Sequence, residues 1–215
     1  MLKAVLFDMD GVLVDSEPEY NKIEAELALS VGVKLTRNDI RENLGKSHLD
    51  GWISLKKKYG FSEDPGELTK KEARMMRVFY EKKLVPIPPS VKLLKRCSES
   101  GLKVAVATSS PEEFAALAVT GLGLEYYVDA IAGGDKVKNS KPAPDIFLLA
   151  ADLLCVSPEE CVVIEDSANG VAAAKAAGMK AVGLKTHEVS QDFSKADMAI
   201  VSLSEIDVET LRKLF

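Results

Sequence analysis

The sequence predicts an α/β fold, in which a doubly wound, Rossmann-like parallel sheet is interrupted by a helical second domain. Short apolar segments rich in branched residues alternate with helix-start signals along most of the chain, a pattern typical of a parallel sheet with helices on both faces. Residues 16–85 break this alternation, because they contain amphipathic helical patterns and no convincing buried strand. We therefore expect an α/β core domain formed by residues 1–15 and 86–215, and a helical domain formed by residues 16–85.

Six short segments are predicted to be strands of the sheet. Leu2 to Phe7 is an apolar run that ends at an acidic, glycine-containing turn, so it predicts a buried strand. Because the carboxyl ends of parallel strands meet at one edge of the sheet, we expect the active site at that edge. The other predicted strands are Lys103–Thr108, Ala130–Ala132, Cys161–Ile164, Lys180–Leu184 and Met198–Val201.

Helix-start signals separate the predicted strands. Ser110-Pro111 and Ser157-Pro158 are each followed by two glutamates, which predicts a serine N-cap, a proline at the first helical position and acids in the first turn. Ala168–Ala177 is rich in alanine and is followed by Gly178, a residue type that commonly ends helices. The helical domain returns to the core through a proline-rich connector, Val85–Pro89. Within that domain, helical patterns occupy Glu17–Val31, Leu49–Tyr59 and Glu67–Lys83.

Composition and charge restrict the classes of function. The chain has 215 residues, of which 47% are apolar and 28% charged, as in ordinary globular proteins. Its longest run without a charged residue or histidine is the eleven residues Phe114–Leu124, whereas a membrane-spanning helix needs about 20. The net charge of −5 gives no reason to expect nucleic-acid binding. Three scattered cysteines predict reduced thiols in the cytoplasm. We expect a monomer.

Two carboxylates follow the first predicted strand, at Asp8 and Asp10, and Gly11 comes directly after them. Two nearby carboxylates repel each other unless a cation or a shared proton stabilises them. A hard divalent ion such as Mg²⁺ is the simplest such cation. An Asp-Gly turn that merely ends a strand explains the same residues, and the pair by itself does not decide between the two.

Three further clusters stand at or near predicted strand ends. Thr108–Ser110 places hydroxyls and backbone N–H groups at a helix start, where anions bind well. Lys141 precedes a rigid Pro-Ala-Pro turn, and Glu165-Asp166 ends a strand just before a helix. Each cluster has an ordinary structural explanation, such as helix capping or a solvated lysine. Together, however, acids, hydroxyls and a cation describe a site for a phosphate, a metal and a carboxylate nucleophile.

In this order, the segments resemble the four motifs of the haloacid dehalogenase superfamily. The motifs are Asp8–Val12, Thr108–Ser110, Lys141–Phe147 and Glu165–Ser167, and the resemblance covers essentially the whole chain. It is closest to the β-phosphoglucomutase-like branch, in which a helical cap domain is inserted after the first strand. Residues 16–85 would be that cap.

The resemblance implies phosphoryl transfer through a covalent intermediate. Asp8 would attack phosphorus and form an aspartyl-phosphate, which divides one difficult displacement into two. Asp10 would protonate the departing sugar oxygen and then deprotonate the water that attacks the intermediate. Thr108 and Ser109 would hold the phosphoryl oxygens, and Lys141 would offset negative charge on Asp8 and the phosphate.

The resemblance also implies a magnesium site. Mg²⁺ would be held by the side chains of Asp8 and Asp166 and by the backbone carbonyl of Asp10, with Glu165 at the metal or next to it. Mn²⁺ or Co²⁺ are expected substitutes at a site of oxygen ligands.

The cap would select the substrate. Lys46 and His48 lie where relatives place a loop over the active site, so they are candidates for contact with the sugar or a second phosphate. An exposed turn between helices explains both residues equally well. We therefore expect a Mg²⁺-dependent phosphatase that acts on small phosphorylated sugars.

A phosphosugar mutase is the main alternative. The β-phosphoglucomutases have a cap histidine where this chain has Tyr20, an arginine near the position of His48, and a Lys-Asn pair in place of Pro111-Glu112. Each change removes a group that would hold a second phosphate or control the acid, which favours hydrolysis over transfer. A C–halogen hydrolase would need neither a metal nor Asp10, and a glycosyltransferase gives Lys141 no role. A non-catalytic phosphate-binding or scaffolding protein would be favoured by the loss of Asp8 or Asp10, and neither is lost.

Overall fold

A computed structural model describes residues 1–43, 47–185 and 191–215 of the chain. The chain divides into two compact units, one formed by Met1–Asp15 with Leu84–Phe215 and the other by Ser16–Lys83. The sequence-based boundaries are the same at residue 15 and lie two residues further along the chain at the second junction. Over the described residues, no helix is both long enough and apolar enough to cross a membrane.

The first unit contains a six-stranded parallel sheet in the order β3-β2-β1-β4-β5-β6. The chain therefore adds β2 and β3 on one side of β1 and later adds β4, β5 and β6 on the other side. In doubly wound folds, ligands bind at the carboxyl ends of the strands where the strand order reverses, which here is the end of β1. Phe7 at the end of β1 pairs with Val106 of β2 and Ile164 of β4. The strands are β1 (Ala4–Phe7), β2 (Lys103–Ala107), β3 (Ala130–Ala132), β4 (Cys161–Glu165), β5 (Lys180–Leu184) and β6 (Met198–Ile200).

The predicted fold class is confirmed, and the strands differ from the predicted ones only at their ends. The first strand begins at Ala4 rather than Leu2, and β4 extends by one residue because Glu165 pairs with Gly183 of β5. All four residues of β1 are buried. A strand buried on both faces cannot show alternating polarity, so its continuous apolar run is the pattern expected for the centre of such a sheet.

The described residues contain helices of both units. Four of them, α1 to α4, form the cap, and α5 to α9 belong to the unit with the sheet. In chain order the helices are α1 (Glu17–Ser30), α2 (Arg37–Asn43), α3 (His48–Tyr59), α4 (Pro65–Lys82), α5 (Pro88–Glu99), α6 (Glu112–Gly121), α7 (Asp145–Leu153), α8 (Ala168–Ala176) and α9 (Val208–Arg212).

Two predicted helix starts are wrong in detail. Helix α6 begins at Glu112 with Pro111 at its N-cap, and no side chain caps it, so Ser110 is not the N-cap residue. Pro158–Glu160 forms only a single 3₁₀ turn, because the chain enters β4 at Cys161 immediately afterwards. The expected proline connector is also shorter, since α5 already begins at Pro88.

Candidate active site

The centre of the site is the turn that follows β1. Asp8 is buried, and its backbone N–H donates a hydrogen bond of 3.0 Å to the carbonyl of Ile164 on the neighbouring strand. The turn continues through Gly11, which has a φ of +76°, a conformation that L side chains rarely adopt. A Cβ at Gly11 would overlap the carboxylate of Asp166. The glycine therefore lets the first turn approach the acidic residues that follow β4.

Three carboxylates converge at this position. Asp8, Glu165 and Asp166 each offer one oxygen, and these oxygens all lie within 4.8 Å of one another. Gly170 in the first turn of α8 contributes to this arrangement, because a Cβ there would overlap the carboxylate of Glu165. A group of carboxylate oxygens is the donor set that Mg²⁺ prefers, so the residues present fit this ion.

Lys141 connects two of these carboxylates. Its Nζ donates to Asp8 Oδ1 and to Glu165 Oε1, each at 2.7 Å, and it lies 4.9 Å from the centre of the Phe147 ring. Only 8% of the lysine side chain is exposed. The explanation of Lys141 as a solvated surface residue is therefore wrong.

Burial and charge together set the protonation of this cluster. Burial raises the pKa of Asp8 to about 7, with Glu165 adding to the increase and Lys141 opposing it. For Lys141, burial alone would lower the pKa, but the charges of Asp8 and Glu165 hold it above its usual value. The lysine thus stays a cation and supplies fixed positive charge beside the carboxylate of Asp8.

Both carboxylate oxygens of Glu165 accept hydrogen bonds. While Lys141 binds Oε1, the other oxygen, Oε2, accepts hydrogen bonds from the backbone N–H of Ser167 at 2.6 Å and from its hydroxyl at 2.8 Å. Ser167 is also the N-cap of α8, since its hydroxyl accepts from the N–H of Gly170 at 3.0 Å. The start of α8 thereby fixes the orientation of Glu165 relative to Asp8.

The hydroxyl cluster after β2 approaches Asp10. Thr108 is buried, and its Oγ1 lies 3.5 Å from Asp10 Oδ2. Ser110 donates from its hydroxyl to the same oxygen at 2.8 Å. Ser109 lies between them and is exposed. The structure thus brings Asp10 next to the hydroxyls of Thr108 and Ser110. The Asp10 carboxylate is not part of the group formed by Asp8, Glu165 and Asp166.

Of the two cap candidates, Lys46 lies outside the described residues. His48 is the first residue of α3; its Nδ1 is 2.9 Å from Glu72 Oε1, and its ring stacks on Tyr20 with 4.7 Å between ring centres. The other carboxylate oxygen of Glu72 accepts a hydrogen bond of 2.8 Å from Trp52 Nε1. His48 therefore belongs to an organised group in the cap.

That group borders a small cavity within the cap. The cavity has a volume of about 160 Å³. Glu72 is almost fully buried. Glu24 lies on the facing helix α1, and burial raises the pKa of its carboxyl. Sequence reasoning missed Glu72, because its partner His48 is 24 positions earlier and no local spacing connects them. The lining residues include Glu17, Tyr20, Asn21, Glu24, Asn43, His48, Trp52 and Glu72.

Carboxylates, a buried lysine and hydroxyls lie together at the carboxyl end of β1 in a doubly wound sheet. This arrangement is typical of a class of hydrolases. A model of the family described as "haloacid dehalogenase-like hydrolase" matches residues 2–178, and the chain belongs to this family. Proteins named as phosphatases are similar to this chain over most of their own length. Within the family, the chain is therefore a phosphoric monoester hydrolase.

Two of the similar bacterial proteins are named as phosphatases. Hexitol phosphatase B of Escherichia coli is 34% identical, covering 97% of this chain and 96% of that protein. The phosphorylated carbohydrates phosphatase of Thermotoga maritima is 35% identical over 94% of both chains. This chain spans only a fifth of the chloroplastic protein SUPPRESSOR OF QUENCHING 1 of Arabidopsis thaliana, with which it shares 39% identity.

A solved structure extends the comparison to the mutases. The crystal structure of a putative β-phosphoglucomutase from Thermotoga maritima matches with a TM-score of 0.75 and 34% identity, covering all of both chains. The similarity shows that both domains of this chain have counterparts in that structure.

Proposed function

We propose that this enzyme is a Mg²⁺-dependent phosphatase that hydrolyses small phosphorylated carbohydrates through an aspartyl-phosphate intermediate. The observation that supports it most is the position of Asp8, which is buried at the end of the central strand, bound by Lys141 and grouped with Glu165 and Asp166. The names of the relatives from Escherichia coli and Thermotoga maritima support the class of substrate.

In the first half-reaction, the carboxylate of Asp8 attacks phosphorus and the sugar oxygen leaves. Lys141, held at 2.7 Å from Asp8, is ready to offset charge on the phosphoryl oxygens without further reorganisation. Thr108 and Ser109 are our candidates for hydrogen bonds to the same oxygens. Mg²⁺ held by Asp8, Asp166 and the backbone carbonyl of Asp10, with Glu165 close by, would supply further positive charge next to the transferring group.

Asp10 acts as the acid and then as the base. A sugar alkoxide is a poor leaving group, so a proton from Asp10 is needed as the ester bond breaks. The ionised carboxylate that results can then accept a proton from the water that attacks the aspartyl-phosphate. Lys46 and His48 remain our candidates for contacts of the cap with the sugar. A monomeric state, a cytoplasmic location and the absence of nucleic-acid or membrane partners stay predictions from the sequence.

The second candidate function is a phosphosugar mutase. The similarity to the putative β-phosphoglucomutase from Thermotoga maritima favours it. Against it, Tyr20 stands where the mutases have a cap histidine, and its ring is stacked on His48. Glu112, which replaces part of the Lys-Asn pair, places a negative charge where a second phosphate would need a positive one.

Phosphate release from a panel of sugar phosphates, nucleotides and phosphoglycolate, with and without Mg²⁺, tests the proposal. We expect release from several sugar phosphates, and only with the metal. β-Glucose 1-phosphate with catalytic glucose 1,6-bisphosphate separates the two functions. Free phosphate should form faster than glucose 6-phosphate, whereas faster isomerisation would favour the mutase. Full activity in excess chelator would contradict the proposed metal.

A further inference from the structure

Ser110 makes a contact that its place before a helix does not explain. Its hydroxyl donates a hydrogen bond of 2.8 Å to Asp10 Oδ2. Although Ser110 precedes Pro111 and two glutamates, α6 begins later and has no side-chain cap. The hydrogen bond to Asp10 therefore joins two distant parts of the chain and is not a helix cap.

The backbone holds Ser110 in place from both sides. Its N–H donates to Thr108 Oγ1 at 3.0 Å, and its carbonyl accepts from the N–H of Gly134 at 2.8 Å. The residue is only 6% exposed. A hydroxyl on so constrained a backbone can fix the orientation of the carboxylate that it contacts.

Thr108 is the weaker partner of Asp10. The separation between Thr108 Oγ1 and Asp10 Oδ2 is 3.5 Å, at the outer limit of a hydrogen bond, whereas the contact from Ser110 has an ideal length. The proposed function also assigns the Thr108 hydroxyl to the phosphate. Ser110 is then a donor that can keep its contact with Asp10 when substrate is bound.

We propose that Ser110 is a positioning residue for Asp10: it holds the carboxylate that protonates the leaving oxygen and later deprotonates water. This inference rests on the proposed function. A hydrogen bond from a neutral donor to a carboxylate is stronger than one between neutral groups, and proton transfer is sensitive to small displacements of the acid. Ser110 acts only through Asp10 and need not touch the substrate.

Two substrates with different leaving groups separate positioning of the acid from other roles. A sugar alkoxide needs a proton as it leaves, whereas p-nitrophenolate leaves without one. We therefore expect Ser110→Ala to lower kcat/KM for a sugar phosphate by at least about tenfold, part of the ~10²–10⁴-fold that proton transfer contributes. For p-nitrophenyl phosphate, kcat/KM should change by less than about threefold, because Asp10 does not serve as the acid in that first half-reaction.

Two further variants provide controls. Ser110→Thr keeps the hydroxyl and should restore most of the activity on the sugar phosphate. In an Asp10→Asn background, Ser110→Ala should have little additional effect, because residues that act through one another are not additive. Comparing both substrates in the same preparation cancels any difference in the folded fraction.

Several outcomes would overturn the inference. An equal loss on both substrates would mean that Ser110 supports the site or the phosphate in general, and additive losses in the Asp10→Asn background would mean that it acts elsewhere. No loss on either substrate would show that the contact has no catalytic role. If the wild-type enzyme hydrolyses neither ester, the proposed function fails and this inference fails with it. If it hydrolyses both and Ser110→Ala leaves their ratio unchanged, only the inference fails.

Discussion

Replacing Lys141 by methionine should destabilise the metal-free enzyme strongly. The change removes a buried cation that lies 2.7 Å from both Asp8 and Glu165 but keeps most of the side-chain volume. The oxygens of the two carboxylates lie within 4.8 Å of each other, so at an effective dielectric constant of about 20 their repulsion is at least about 3.5 kcal/mol. Breaking a buried ion pair typically costs about 3–5 kcal/mol.

Part of this cost is avoidable, because Asp8 can take up a proton. Its pKa is already raised to about 7 by burial, and the loss of Lys141 would raise it further. At pH 8 we therefore expect a loss of about 3 kcal/mol, which corresponds to a decrease in Tm of about 6–12 °C for a chain of this size. Mg²⁺ restores positive charge between the carboxylates, so it should raise the Tm of Lys141→Met by more than that of the wild type.

The assay is thermal unfolding at pH 8, monitored by circular dichroism in chelator and in excess Mg²⁺. Lys92→Met is the matched control, because Lys92 is an exposed residue of α5 and its replacement should change stability by no more than about 0.5 kcal/mol. If the Tm of Lys141→Met in chelator lay within about 2 °C of the wild type, Lys141 could not be the cation that holds these carboxylates together.

Two other predictions concern the metal and the cap. Asp166→Ala should raise the Mg²⁺ concentration needed for half-maximal phosphatase activity by at least about tenfold; an unchanged Mg²⁺ titration would remove Asp166 from the metal site. In the cap, burial alone would raise the pKa of Asp39, but hydrogen bonds from Lys58, Thr36 and Tyr59 hold it well below its usual range. The stabilisation from Asp39 should therefore be complete well above the unfolded pKa of about 3.9 and decline as pH falls below it. The difference in Tm between the wild type and Asp39→Asn should accordingly be larger at pH 7 than at pH 3, and an equal difference would contradict the low pKa.

The strands and the residues at their ends could be predicted because both depend on local sequence. A run such as Ala4–Phe7 is buried on both faces and is therefore apolar throughout. Parallel strands then bring their carboxyl ends together, so Asp8 and Glu165 could be expected at one edge without knowledge of any contact.

The contacts that depend on tertiary structure could not be predicted. Ser110 has the local signal of a helix N-cap, but α6 begins at Glu112 and the Ser110 hydroxyl donates to Asp10, 100 positions earlier in the chain. Glu72 contacts His48 because α3 and α4 pack together, and local sequence patterns do not reveal that packing. The seven residues of α2 are mostly polar, so the sequence pattern does not predict this helix. Asp39 within it accepts hydrogen bonds from α3 and from the residue before the helix, so tertiary contacts rather than amphipathicity support it.

The pre-steady-state reaction of Asp10→Asn with p-nitrophenyl phosphate in Mg²⁺ tests the covalent mechanism most directly. Because nitrophenolate needs no proton to leave, the aspartyl-phosphate should form, and because Asp10 is no longer available to activate water, it should persist. We predict a burst of one nitrophenolate per enzyme molecule, a phosphoryl group on Asp8 in the acid-quenched protein, and neither signal in the Asp8→Asn variant. A wild-type enzyme that turns over the ester, combined with an Asp10→Asn variant that shows no burst and no phosphorylated Asp8, would contradict the covalent mechanism.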